Sequence, residues 1–95
     1  MVDVRKLKKA LELVSNANSV SASSRLAPHI VSVEKIYHFP YINDAEYIAL
    51  MKNNGFWPLS KEAYFAKIDE LIANKAYINI YENDDLIILR RSNLN

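Results

Sequence analysis

Hydrophobic positions recur along this chain with two periods, and the change from one to the other divides it. Near the N-terminus Val4, Leu7, Leu11 and Val14 return at three- and four-residue spacing with Ala10 beside them, predicting one apolar helix face over residues 3–15. Asp3 suits the N-cap, because its carboxylate accepts backbone N–H bonds and favours the positive end of the helix dipole. From Ser15 to Ser24 the chain turns polar, dominated by Ser and Asn. Those side chains compete for backbone hydrogen bonds, so residues 16–28 are expected to form a loop.

Residues 29–39 carry two signals. β-branched and aromatic enrichment favours a strand, while Ile30, Val33 and Tyr37 fit one helical face. The reading taken is helix in the first part, then a short extended stretch before Pro40, which pushes the residue ahead of it away from helix. The next helix is expected at 44–54. Asn43 is its cap, Glu46 the capping-box residue, Ile42 with Tyr47 the staple, and Gly55 the left-handed residue that ends it. After a connector over 56–59, Ser60 caps a third helix whose apolar stripe is Tyr64, Phe65, Ile68, Leu71 and Ile72. Beyond Lys75 the period drops to two. Residues 77–81 and 86–90 read as strands joined by the turn Glu82-Asn83-Asp84-Asp85.

Composition narrows what these elements can do. Ninety-five residues, half of them apolar, suffice for one packed domain, 1–95, and argue against disorder. One glycine leaves no phosphate-cradling loop, and without cysteine a zinc finger, a disulfide scaffold and a thiol enzyme are excluded. His29 and His38 have no partner at acid–base spacing, no serine lies in a nucleophile motif, and Asp84-Asp85 reads as a turn. No enzymatic activity, metal or cofactor is expected. With no apolar run near the ~18 residues of a membrane span and no secretory signal, the expected compartment is intracellular. The near-zero net charge hides an asymmetry: residues 1–40 hold six basic and three acidic side chains, residues 41–95 six and eight. A polyanion would prefer the N-terminal half.

Asn43–Gly55, Ser60–Lys75 and Tyr77–Arg91, preceded by the helix at 3–15, resemble the element order of a winged helix-turn-helix domain. The resemblance implies a small α+β fold of three to four helices followed by a C-terminal β-hairpin, with residues 43–91 as the helix-turn-helix plus wing. It implies a DNA-binding protein, a transcriptional regulator acting as a homodimer on double-stranded DNA, with the second helix of the pair in the major groove. Contacts would then fall on Lys61 and Lys67 of that helix, Arg90 and Arg91 at the wing, and Lys8 and Lys9 as phosphate grips. Glu82, Asp84 and Asp85 at the wing tip would repel phosphates. An ordinary solvated helix face explains Lys61 and Lys67 equally well. The other reading is a non-enzymatic interaction module or inhibitor, docking on a larger protein through Trp57, Tyr77 and Tyr81. The Asn-, Lys- and Ile-rich composition and small size would suit a phage, virus or plasmid accessory protein.

Overall fold

A five-stranded mixed sheet organises the chain, in a computed structural model that describes residues 4–15, 17–23, 26–30, 33–52 and 59–92. The elements are α1 (Val4–Leu11), continued by a 3₁₀ turn Glu12–Val14, then β1 (Ser19–Ala22), a 3₁₀ turn Ala27–His29, β2 (Lys35–His38), β3 (Tyr47–Met51), α2 (Lys61–Ala73), β4 (Tyr77–Glu82) and β5 (Leu86–Arg91). Their order across the sheet is β2-β1-β3-β5-β4. β1 runs parallel to both β2 and β3, while β5 is antiparallel to both β3 and β4. Four strands therefore share one direction, and β5 alone opposes them.

The centre of the sheet is buried on both faces, which the alternation along β3 and β5 makes explicit. Ala49, Met51, Leu86 and Ile88 pack with Ala10, Leu11 and Val14 beneath α1 and its 3₁₀ continuation, joined by Val20, Ala22, Leu26 and Ile30. On the other face Ile48, Leu50, Ile87 and Leu89 pack with Tyr64, Ile68 and Leu71 of α2, together with Phe39 and Tyr77. The two helices thus cover opposite faces.

This architecture corrects the winged-helix expectation. Instead of three to four helices with a terminal hairpin, the described residues form a predominantly β structure flanked by two short helices. The expected helix at 44–54 is replaced over its described part by β3, whose residues from Ile48 to Met51 are all buried. A strand covered on both faces is apolar at every position and offers no period that separates it from buried helix. Asn43 adopts a left-handed φ of 49° in a turn, where it caps no helix. The expected loop at 16–28 contains β1, buried along its whole length. Residues 27–29 form a 3₁₀ turn, and the strand at 35–38 ends at a cis Phe39–Pro40 bond, so the extended stretch before Pro40 is present and the longer helix is not. α2, β4 and β5 lie where expected, with Ser60 Oγ accepting the Ala63 N–H at 3.2 Å as the N-cap. Asp3, Gly55 and Trp57, assigned to caps and a docking anchor, lie outside the described residues.

Candidate functional site

The basic residues expected on one nucleic-acid surface are dispersed. Lys8 and Lys9 are exposed on α1, while Lys61 and Lys67 belong to α2 on the opposite face of the sheet. One duplex cannot lie against both. Lys67 Nζ stands 3.8 Å from Glu70 Oε2, and Glu62, Asp69 and Glu70 leave the helix surface without positive excess. Neighbouring positions on a strand face opposite ways, so Arg90 and Arg91 at the end of β5 point to different faces. Arg91 Nη1 donates to the Asp44 carbonyl at 3.0 Å, and Arg90 Nε is buried with no hydrogen-bond partner among the described residues. Nothing gathers these six residues into one groove.

The tyrosines of β4 also depart from expectation. Clean alternation would put Tyr77 and Tyr81 outside together once Ile78 and Ile80 are buried. The reverse holds: Tyr77 is buried, whereas Ile78 and Ile80 are 41% and 37% exposed. A bulge between Asn79 and Tyr81 interrupts the register and places Tyr81 opposite Ile88, on the α1 face, where it packs half-buried. Tyr77 Oη donates to the Ala45 carbonyl at 2.6 Å on the other face. Burial raises the Tyr77 hydroxyl above its ordinary pKa, and nearby Arg91 partly opposes that shift.

The exposed surface worth attention is therefore the free edge of β4 and the rim of α1 next to it. Lys9, Ala10, Leu13 and Tyr81 line an open cavity of about 370 Å³ there. Leu13, at 46% exposure, adds an exposed apolar side chain beside Tyr81 of this edge strand. Charge is polarised along this edge. Lys75, Arg90 and Arg91 stand at the end where β4 begins, with Glu82, Asp84 and Asp85 at the other. Lys52 Nζ meets Glu82 Oε2 at 2.6 Å, and that hydrogen bond, helped by Asn79, holds the Glu82 carboxyl below its usual range.

Two other polar groups remain. Lys8, Leu11, Glu12, Ser15 and His29 line a shallow cavity of about 280 Å³ beside α1. Ser15, Glu12 and His29 carry the residue types of a hydrolytic triad, yet no hydrogen bond joins their side chains. Deep between β1, β3 and α2, Tyr64 Oη donates to the Met51 carbonyl at 2.7 Å. Its one proton being used there, it accepts from Ser23 Oγ at 2.8 Å, while Ser23 Oγ accepts the Met51 N–H at 3.1 Å. This closed set is buried and satisfied; burial pushes the Tyr64 hydroxyl up to about 12, so it stays protonated as a strut. Among the described residues no cluster of three or more His, Asp or Glu could hold a metal ion, and no helix is long and apolar enough to cross a membrane. Neither β4's exposed isoleucines nor its bulge was legible from the sequence alternation, although the missing charge between Lys75 and Glu82 marks an unguarded edge. No protein-family model, curated protein sequence or solved structure matches this chain.

Proposed function

We propose that this protein is a non-enzymatic interaction module that docks proteins along the free edge of β4. The observation carrying this reading is the exposure of Ile78 and Ile80 on an edge strand that continues into the apolar rim at Leu13 and Tyr81. An edge strand offers a row of unpaired backbone groups to an added strand, and adjacent apolar side chains supply the desolvated contact that gives such pairing its strength. The separation of Lys8 and Lys9 from Lys61 and Lys67 weighs against the nucleic-acid alternative.

Both readings meet in one pair of assays. Random duplex DNA titrated at low and at moderate salt should show no salt-dependent binding; steep weakening with salt would instead favour the polyanion reading. Capture of cellular proteins on the immobilised chain should be lost with Ile78→Lys and retained with Lys61→Ala, Lys67→Ala. An identical captured set on wild type and Ile78→Lys would remove β4 from the account.

A further inference from the structure

We infer that the occupant of the β4 edge is a second copy of this chain, its β4 added antiparallel so that two five-stranded sheets become one. The inference rests on the docking reading above and names the partner.

Three observations lead to it. The first is where the two sheet edges differ. β2 is four residues long and bears exposed Lys35 and His38, with exposed Glu34 just ahead of it, which discourage strand addition. β4 is six residues long, with no charge until Glu82. The second is the direction of charge along β4. Lys75, Arg90 and Arg91 outnumber Asp44 at its beginning, and Glu82, Asp84 and Asp85 outnumber Lys52 at its end. Two copies related by a two-fold axis through the edge present these ends in opposite order, so each basic end meets an acidic end. A parallel addition would set like charge against like, which selects against it. The third is apolar self-complementarity. With the axis near Asn79, the segment carrying Ile78 and Ile80 on one copy meets the same segment on the other, while the bulge keeps Tyr77 and Tyr81 on opposite faces. The exposed isoleucines then cover each other, and the isologous pairing closes without an open series of further copies.

Sedimentation velocity on the full chain across the micromolar range tests this. The expected result is a concentration-dependent species of two chains. Ile78→Lys, which brings a charge into the shared strip, should weaken it at least roughly tenfold, while Ile72→Lys on exposed α2 surface should leave it unchanged. Lys75→Glu should weaken it, and adding Asp84→Lys should restore it. Far-ultraviolet circular dichroism reports whether each variant folds. If Ile78→Lys does not fold, Asn79→Cys gives a separate answer. The chain has no cysteine, so this single thiol at the axis should oxidise to a covalent dimer, and Asp69→Cys on α2 should not. A chain that stays monomeric throughout, or a dimer indifferent to Ile78→Lys, overturns the self-pairing. If such a monomer still captures a protein that Ile78→Lys releases, only the identity of the partner falls. If that capture is absent too, the docking reading falls with it.

Discussion

Ser23 and Tyr64 show how few atoms join the two halves of this fold. Ser23 directly follows β1, Met51 ends β3 and Tyr64 belongs to α2, and their three hydrogen bonds tie all three elements together. Tyr64→Phe leaves the Met51 carbonyl and the Ser23 hydroxyl buried without that partner, an expected loss of about 1–3 kcal/mol in urea unfolding. Ser23→Ala should lose a comparable amount, and the double variant less than the sum, because both break one network. The same tyrosine sets an alkaline limit. Its folded pKa, raised to about 12, exceeds the ordinary value of 10.0, so the unfolded chain releases this proton first. The contribution of neutral Tyr64 is therefore complete below pH 10 and declines as pH rises towards 12. Tyr77, raised in the same direction, adds to that decline. Unfolding midpoints measured over this range should fall for the wild type and fall less for Tyr64→Phe.

At the scale of elements, β1 and β3 explain what the sequence withheld. Ser19 and Ser21 of buried β1, and Ser23 just beyond it, occupy alternate positions on the face away from α1. Ser19 Oγ donates to the Asp44 carbonyl at 3.1 Å and Ser21 Oγ to the Tyr41 carbonyl at 2.8 Å, so the β2–β3 connection supplies polar partners where an apolar core would be expected. Serines that suit a loop locally are thus satisfied by chain distant in sequence, which no local pattern encodes. β3 misleads in the opposite sense. Glu46 at the presumed capping-box position accepts the Asn18 N–H at 2.8 Å and belongs to sheet assembly, not to a helix start. α2 was legible because one face is buried and the other wet, and because its cap is local. Ser60→Ala should lower stability by about 1 kcal/mol, with Ser60→Asp largely restoring it, as read from denaturant midpoints. On β4, the faces that Tyr77 and Tyr81 take could not be read from the alternation, since a bulge becomes visible only once β5 sets the register.

Across the whole molecule, the placement of β5 matters most. The strand is the last described element in sequence, yet it sits inside the sheet between β3 and β4. Leu86 and Ile88 complete one core and Ile87 and Leu89 the other. During synthesis, β3 therefore emerges long before the neighbour that covers its open side, and β4 has no place in the sheet until β5 arrives. Contacts of such long sequence separation make assembly slow and leave apolar strands waiting in the open. A chain stopped after Asp85 should accordingly show no cooperative thermal transition, where loss of a peripheral strand would leave a weakened one. The fold is closed from within by a strand that follows every other described element in sequence, and the growing chain stays a client for chaperones until that strand appears.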